Sequence, residues 1–346
     1  MAEPLHFVIV GNGPAGNEAA AALRGQDPKA RITIISAAAT HYLRPEKLAA
    51  FLVQPRHRLK DLYIHPYPWY EEQRIQLRLN QTVNRIAPEQ KYVYLNHKER
   101  VRYDRLLLVT GARPRVPERL ASLSSLLTRF ATGADALLLK RGIAQVKHMT
   151  MLGGDCIALE LAQALLPRGV RLTFILDEYR FWPLEFDEGV KKRLADSLEK
   201  KGIEVVRDDL AVSVEQAGDE LLVKTRGGKE VKTDRACLSS GMVPAVEFLA
   251  SAGIDTQLGV LVDDHLQTSR PDIWAAGECA QVYYSELKDY RCSTGSVNAE
   301  QQGRLVARNM LGAKEMVKLP EPGRVTIAGE HFTTYGWKGF SLDEKD

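Results

Sequence analysis

Short apolar runs, several of them followed by glycine, recur along the chain and predict parallel strands that alternate with helices. The first run, His6–Val10, leads into glycines and then into an alanine-rich stretch, residues 14–24, that favours a helix. A second apolar run, Arg31–Ile35, completes a strand–helix–strand unit of about 30 residues. Such a unit predicts a parallel sheet covered by helices.

A second copy of this pattern begins near residue 146. Its strand is predicted at 149–152, its helix at 156–166 and its next strand at 172–176, followed by an amphipathic helix at 188–201 and hairpins between 211 and 232. Strand patterns at 76–79, Tyr92–Leu95 and 105–109 precede this copy, and a strand at 272–276 and a helix at 297–310 follow it. Residues 41–75, rich in proline, tyrosine and arginine, are predicted to be irregular.

The pattern therefore predicts an α/β protein with two Rossmann-like dinucleotide-binding domains, the second inserted in the first. We place the outer domain at residues 1–115 and 238–312, and the inserted domain at 116–237. A short C-terminal segment, 313–346, remains.

Composition narrows the classes of partner. The 346 residues are 45% apolar and carry a formal net charge of +3, so neither nucleic acid nor an anionic membrane is expected to bind. No apolar stretch approaches the roughly 20 residues that span a bilayer, and the first residues lack a signal-peptide pattern. The four cysteines, at 156, 237, 279 and 292, lack the spacing of a metal site. We therefore expect a cytoplasmic protein without a metal.

The loop between the first strand and helix carries the strongest chemical signal. Gly11, Gly13 and Gly16 have G-x-G-x-x-G spacing: the first makes the tight turn, the second lets a pyrophosphate approach the backbone, and the third lets helix and strand pack closely. Pro14 and Ala15 open the helix, whose free N–H groups attract phosphate. The loop predicts a bound dinucleotide, and by itself it does not separate FAD from NAD.

The second strand ends at Ser36, where a ribose-binding acid is usual in this motif. A serine hydroxyl can bond a ribose more weakly than a carboxylate does. A plain cap at the end of the strand is an equally good interpretation of Ser36.

Two further segments make the pattern specific. Residues 103–114 contain Thr110 and Gly111 after a buried strand, and residues 268–280 contain Gly277 and Glu278. In this order, the glycine loop, the Thr–Gly turn, a second glycine loop and the Gly–acid segment resemble the pyridine nucleotide-disulfide oxidoreductase superfamily over residues 6–310. The resemblance implies FAD, with Glu278 on the ribityl chain of the flavin where Asp is commoner. It also assigns to the FAD site Val83, Gln302 and Gly303.

The disulfide reductases of that superfamily carry a Cys pair after the first unit, but here no cysteine precedes Cys156. Residues 41–52 instead resemble the Tyr-x-Arg-Pro segment of ferredoxin and rubredoxin reductases and of the flavin part of assimilatory nitrite reductases. The resemblance implies that Arg44 and Lys47 lie near the isoalloxazine, where a cation stabilises the reduced flavin. Lys47 is displaced from the family's usual lysine, and a solvated loop is the alternative for both residues.

The second glycine loop, with Gly153 and Gly154, resembles the family's nicotinamide-binding loop, with a departure at Asp155. Asp155 stands where the pyrophosphate-facing glycine is expected, and its charge would face the phosphates. Two unit charges about 4 Å apart repel by about 1 kcal/mol in water and by several times that near a protein surface. Ala158 completes the loop, and Glu160 matches a glutamate that lies near nicotinamide and flavin in the family. A buried acid paired with a cation is the alternative for Glu160.

The end of the following strand departs as well. Leu176 aligns with the family's ribose-binding glutamate, but Asp177 and Glu178 come next and a shift by one residue restores an acid. Arg180 is nearby, but no arginine cluster suggests a 2′-phosphate pocket. If a pyridine nucleotide binds, NADH is favoured.

Family members usually add a C-terminal dimerisation domain of about 100 residues, and here residues 313–346 follow the last helix. Residues 332–337 resemble the first strands of that domain. The resemblance therefore implies a truncated C-terminal domain, no usual homodimer interface, and a face free for a protein partner.

Two functions follow from the resemblance. The first is an FAD-dependent enzyme that passes electrons between NAD(H) and a one-electron iron–sulfur or rubredoxin-like protein, without a redox disulfide. The second is an electron-transfer subunit of a larger metalloenzyme, with an impaired nicotinamide site. Glu160 and an otherwise complete fold favour the enzyme, whereas Asp155, Leu176 and the short C-terminal segment favour the subunit.

Overall fold

The computed structural model describes residues 3–96, 99–177, 188–319, 323–327, 330–334 and 337–338. In these ranges the helices are α1 (Pro14–Gln26), α2 (Leu48–Val53), α3 (Tyr67–Glu72), α4 (Gly133–Gly142), α5 (Cys156–Leu165), α6 (Glu188–Lys200) and α7 (Ser296–Met310). Strands are numbered along the chain from β1 to β24, and their bounds are given below sheet by sheet.

The outer domain is built on a parallel sheet with the strand order β3-β2-β1-β7-β19. Its strands are β1 (His6–Val10), β2 (Arg31–Ile35), β3 (Ile75–Arg78), β7 (Arg105–Leu108) and β19 (Ile273–Ala275). The central strands β1, β2 and β7 consist mainly of buried apolar residues because both faces of the sheet are covered there. The order reverses beside β1, which places a crevice at the carboxyl ends of β1 and β7.

The inserted domain repeats this architecture with the order β12-β11-β10-β16-β9. Its strands are β9 (Leu127–Thr128), β10 (His148–Leu152), β11 (Arg171–Leu176), β12 (Glu204–Arg207) and β16 (Arg235–Leu238). The predicted division after residue 237 falls one residue before the end of β16. The α/β fold with two Rossmann-like units, one inserted in the other, is confirmed.

The two units repeat each other down to side chains at the start of their first strands. His6 Nε2 lies 2.9 Å from Thr33 Oγ1, and His148 Nε2 lies 2.9 Å from Thr173 Oγ1. The residue pairs His6–Arg31 and His148–Arg171 have the same register in their sheets. Positions in one unit can therefore be compared directly with positions in the other.

Smaller sheets complete both domains, and their strands pair antiparallel except for β18 and β20, which are parallel. One contains β4 (Val83–Ala87), β5 (Tyr92–Leu95) and β6 (Arg100–Arg102), and another contains β13 (Ala211–Ala217), β14 (Glu220–Thr225) and β15 (Glu230–Thr233). A third joins β18 (Val260–Val262), β20 (Ala280–Tyr284), β21 (Asp289–Ser293) and β24 (Trp337–Lys338), and β22 (Gly323–Ile327) pairs with β23 (Glu330–Thr334). The two chain connections between the domains, β8 (Ala112–Pro114) and β17 (Met242–Pro244), pair with each other.

Residues 41–75 are not irregular throughout, so that prediction is wrong. They contain α2 and α3 together with 3₁₀ turns at Pro45–Lys47 and Leu59–Leu62. Leu48, Phe51 and Leu52 on α2 are buried in the core of the inserted domain, so a segment that precedes the inserted domain in sequence packs into it. The apolar face is too short to stand out by periodicity alone.

No helix among the described residues is long and apolar enough to cross a membrane. The described side chains also contain no cluster of three or more His, Cys, Asp or Glu that could ligate a metal.

Candidate functional site

The first glycine loop forms a tight cradle at the crevice of the outer sheet. Gly11 has a φ of +128°, and a Cβ built on it would lie 2.0 Å from the Val109 carbonyl oxygen. A Cβ on Gly16 would lie 2.3 Å from the Gly11 oxygen, whereas a Cβ on Gly13 would meet no atom within 4 Å. The loop therefore packs tightly against the backbone at Val109. It leaves open space in front of the N-terminus of α1, where a phosphate can bind.

The last helix packs closely on this cradle. A Cβ on Gly303 of α7 would lie 2.3 Å from the Ala15 oxygen at the start of α1. Gln302 is buried, and its Oε1 accepts a hydrogen bond of 2.8 Å from the Gly277 N–H. Gln302 thereby fixes the turn that carries Glu278.

The far end of β2 lies beside a second group of predicted residues. Ser36 is buried, and its Oγ accepts a hydrogen bond from the Ala38 N–H. The hydroxyl therefore makes the local capping contact that the alternative interpretation expects. The Gln81 N–H donates to the Ser36 carbonyl at 2.9 Å, and Val83 begins β4 just beyond. In a Rossmann unit this end of the second strand lies beside the ribose of the nucleotide.

Five buried polar atoms among the described residues have no hydrogen-bond partner, and three of them, His41 Nδ1, Arg44 Nε and Gln81 Oε1, belong to segments that the resemblance places beside the cofactor. Buried polar groups are almost always satisfied, so a polar group of a bound cofactor can satisfy Arg44 Nε and Gln81 Oε1. Together with the open cradle at Gly13, they fit an extended FAD from the ribose end to the flavin end.

Arg44 is held in an ion pair that the sequence did not reveal. A terminal nitrogen of its guanidinium lies 2.7 Å from Glu300 Oε1 on α7, and the Tyr42 hydroxyl donates to the same oxygen at 3.0 Å. Burial raises the pKa of Tyr42 to about 12, so this hydroxyl keeps its proton. The pair anchors the segment before α2 onto the helix that packs against the glycine cradle.

Lys47 is exposed at the end of the 3₁₀ turn. Its neighbour Glu46 accepts a hydrogen bond of 2.9 Å from Ser296 Oγ. Burial raises the pKa of both Glu160 and Glu278, and the charge of Glu46 adds to both shifts. The charge that acts on Glu160 from this segment is therefore negative.

The Thr–Gly turn and the Gly–acid segment lie at the carboxyl ends of adjacent strands β7 and β19. Gly111 and Gly277 have φ of +68° and +71°, in the left-handed region that favours glycine. Thr110 Oγ1 donates to the Ala245 carbonyl at 2.7 Å, which ties this turn to the chain leaving the inserted domain. Glu278 Oε1 accepts a hydrogen bond of 3.0 Å from the Gly295 N–H, and burial raises its pKa.

The second glycine loop follows the same backbone course as the first, but an aspartate rather than a glycine caps the helix that follows. Gly153 has a φ of +122°, and Gly154 leads to Asp155, the N-cap of α5. The Asp155 carboxylate is buried and accepts hydrogen bonds from the N–H groups of Ala158 at 3.0 Å and Gly241 at 3.1 Å. The carboxylate is thus turned into the protein rather than out toward a ligand, because these amides satisfy it.

Glu160 lies one turn along α5 and is not paired with a cation in any ion pair of the described residues. Burial, followed by the charges of Glu46 and Asp155, raises its pKa to about 7. Cys156 is partly buried, and burial, followed by the charges of Asp155, Glu160 and Glu278, raises its pKa. The charges that act at the start of α5 are therefore acidic.

Asp177 follows the end of β11 and is half-buried. Glu178 and Arg180 lie outside the described residues. In the C-terminal tail, β24 pairs with β21.

Comparison with known proteins identifies the family of the chain. A family model described as pyridine nucleotide-disulphide oxidoreductase matches residues 5–303. The chain belongs to this family. Its members bind FAD and use NAD(P)H, so the family resemblance and the FAD prediction are both confirmed at this level.

Among curated relatives, the ferredoxin–NAD(+) reductase component of a 3-phenylpropionate/cinnamic acid dioxygenase from Photorhabdus laumondii is 31% identical over 92% of this chain and 79% of that protein. The assimilatory nitrate reductase electron transfer subunit of Bacillus subtilis is 26% identical over 80% of this chain, and the match spans 36% of that protein. Among solved structures, a covalent putidaredoxin reductase–putidaredoxin complex has a TM-score of 0.85 at 24% identity, covering 93% of this chain and 79% of that one. The last likeness shows the fold.

Sequence reasoning missed several residues that shape the site. Glu300 lies 256 positions from Arg44, and no local pattern connects them. Tyr70, in the segment predicted to be irregular, donates to Asn17 Oδ1 at 2.6 Å, and Asn17 donates to Asn12 in the glycine loop at 2.9 Å. The available signal was the asparagine in the otherwise alanine-rich first helix, because a polar side chain on a helix that packs against a sheet needs a hydrogen-bond partner.

Proposed function

We propose that this chain is an FAD-dependent oxidoreductase that passes electrons between NAD(H) and a one-electron protein carrier, iron–sulfur or rubredoxin-like, without a redox disulfide. The observation that carries the proposal is the open cradle at Gly13, backed by Gly11 and Gly16, in a chain whose first cysteine is Cys156. Its relative from Photorhabdus laumondii is named a ferredoxin–NAD(+) reductase component, and this reaction class needs no dithiol.

When bound, FAD supplies the conversion between a two-electron hydride donor and a one-electron acceptor. The protein's own residues would bind and orient it: the N-terminus of α1 would hold the pyrophosphate, and Glu278 would bind the ribityl chain. The guanidinium of Arg44, which Glu300 fixes, would supply a positive charge near the flavin. Gln302 holds the Gly277 turn in place.

We assign the nicotinamide side to the loop at Gly153 and Gly154, with Ala158 at the first turn of α5 and Asp177 toward the ribose. Glu160 is the candidate acid beside the nicotinamide. Its raised pKa lets it be neutral or ionised near pH 7, which suits a group that must not repel a bound nucleotide. Lys47 is exposed, and no described contact directs it toward the site. It stays a candidate on the resemblance alone.

One observation favours the second candidate, an electron-transfer subunit with an impaired nicotinamide site: the Asp155 carboxylate occupies backbone donors at the N-terminus of α5. The Bacillus subtilis relative is named an electron transfer subunit. In this case a larger metalloenzyme is the partner, and FAD is reduced within the complex.

Thiol alkylation separates this chemistry from that of the disulfide reductases. All four cysteines are free, and three of them are buried. NADH-dependent reduction of ferricyanide, a one-electron acceptor, should be unchanged after treatment of the reduced protein with iodoacetamide. Cys156 is the first residue of α5, in the loop assigned to the nucleotide, so alkylation there can block NADH binding, and Cys156→Ala is measured without alkylation as well. A loss of most of the activity in Cys156→Ala, or on alkylation of that variant, would mean that a thiol carries electrons, against the proposal. The free cysteines also support a cytoplasmic location, which we keep as part of the proposal.

A further inference from the structure

The two Rossmann units place two helix N-termini in the same setting. Gly13 caps α1 and Asp155 caps α5, each after the first strand of its sheet. The Gly11 N–H donates to the Ile35 carbonyl at 2.8 Å, and the Gly153 N–H donates to the Ile175 carbonyl at 3.0 Å.

The glycines also have the same close contacts. A Cβ on Gly11 would lie 2.0 Å from the Val109 oxygen, and a Cβ on Gly153 would lie 2.1 Å from the Ser239 oxygen. The two loops therefore follow the same course, and Asp155 can be compared directly with Gly13.

The difference between the two sites is what stands in front of the helix. At α1 the space beyond Gly13 is open. At α5 the two carboxylate oxygens of Asp155 accept from the Ala158 N–H at 3.0 Å and from the Gly241 N–H at 3.1 Å. Only 2% of Asp155 is exposed. One donor belongs to the first turn of α5 and the other to the chain after β16, so the carboxylate is bound as an anion would be at this place.

We propose that the Asp155 carboxylate is a built-in competitor for the nucleotide pyrophosphate at the N-terminus of α5, and that it sets the affinity of the second site for pyridine nucleotides. The inference rests on the proposed use of NAD(H). A nucleotide gains the amides of α5 only when this carboxylate is displaced or loses its charge.

Protonation weakens this competition. Burial raises the pKa of Asp155 to about 6, and a neutral carboxyl can donate a hydrogen bond to a phosphate oxygen. The titratable groups whose pKa responds to Asp155 are Cys156 and Glu160 on the same helix and Cys237 on β16. No cation contributes to its pKa shift. Nucleotide affinity should therefore increase as the pH falls through 6.

Calorimetric titration of the FAD-loaded protein with NAD⁺ tests the proposal without turnover. Asp155→Gly recreates the Gly13 arrangement and should bind NAD⁺ at least about tenfold more tightly at pH 8. Asp155→Asn keeps a side-chain oxygen for the Ala158 N–H and removes the charge, so its affinity should fall between the two. Asp135→Asn, which removes an acid from the first turn of α4, is the matched control and should leave the affinity unchanged.

The pH dependence provides a second readout. Wild-type affinity for NAD⁺ should rise between pH 8 and pH 5.5, whereas Asp155→Asn should show no rise centred near pH 6. Glu160→Gln should keep that rise, which separates Asp155 from its neighbouring carboxyl.

Equal affinity of the wild type, Asp155→Gly and Asp155→Asn would overturn the inference and leave the proposed function standing. Loss of affinity in Asp155→Gly, with FAD still bound, would overturn it as well. If neither the wild type nor Asp155→Gly binds NAD⁺ or is reduced by NADH, both the inference and the NAD(H) function fail, and the electron-transfer subunit remains.

Discussion

The guanidinium of Arg44 lies 2.7 Å from Glu300 Oε1 and so joins the segment before α2 to the last helix of the outer domain. The resemblance places Arg44 near the flavin, and its Nε is buried without a hydrogen-bond partner among the described residues. The ion pair fixes the loop, and we propose that the guanidinium also stabilises the reduced flavin. The first prediction separates these roles.

Arg44→Met should weaken FAD retention and lower the flavin midpoint potential, because the charge that stabilises the reduced form is removed. The free energy of unfolding of the apoprotein should fall by about 1–2 kcal/mol, less than for a fully buried pair because the Arg44 side chain is 38% exposed. Fluorescence of released FAD and a redox titration measure the two effects.

Glu300→Gln is the matched variant, since it breaks the ion pair but keeps the arginine. It should destabilise the loop with a smaller change in potential. An unchanged potential in Arg44→Met would place Arg44 away from the flavin and leave it with a structural role.

Asp155→Asn should remove a pH dependence from the stability of the protein. The pKa of Asp155 is raised in the fold, to about 6 from 3.8, so ionisation costs the wild type stability that is lost as the pH rises from about 4 through 6. Relative to the wild type, the asparagine variant should therefore gain at most about 3 kcal/mol between pH 4 and pH 7, against a constant cost because its amide NH2 cannot accept from the Gly241 N–H. Urea unfolding at both pH values measures it, and a gain that does not depend on pH would show that Asp155 does not titrate in this way.

Glu160→Gln should remove a titration near pH 7 from the kinetics of flavin reduction. The pKa of Glu160 is raised to about 7 by burial and by Glu46, so its charge appears as the pH rises through 7 and should raise the KM for NADH. Stopped-flow reduction in the Asp155→Asn background leaves only one of the two carboxyls to titrate. The double variant should resemble the low-pH form at every pH, and a KM that still rises near pH 7 would assign the titration to another group.

Lys140 on α4 should be needed to hold the segment after α2. Its Nζ donates to the carbonyl oxygens of Phe51, Gln54 and His57 at 2.7–2.9 Å. Lys140→Met should increase hydrogen exchange in residues 51–58 and cost about 1–2 kcal/mol of stability. Arg141→Met, at the exposed next residue, is the control and should leave exchange in this segment unchanged. Equal exchange in both variants would mean that the lysine does not restrain the segment.

Regular elements could be predicted from the sequence where one pattern dominates. The bounds of β1 and β2 match the apolar runs at His6–Val10 and Arg31–Ile35, and the glycine loops between strand and helix lie where their spacing indicates. Here local propensity, periodicity and turn chemistry all agree.

What could not be predicted depends on contacts distant in sequence. The six residues of α2 are helical because Leu48, Phe51 and Leu52 pack into a domain that begins far downstream. The partner of Arg44 lies on α7, and the direction of the Asp155 carboxylate depends on the Gly241 amide across the loop. The charge of Asp155 was evident from the sequence, but its hydrogen bonds to the amides of its own protein were not.

Anaerobic titration of the FAD-loaded protein with NADH, followed by the loss of the oxidised flavin absorbance, tests the central claim most directly. We predict that NADH bleaches the flavin with one equivalent per FAD, and that a one-electron acceptor then restores the absorbance. A flavin that dithionite reduces but neither NADH nor NADPH reduces would contradict the claim.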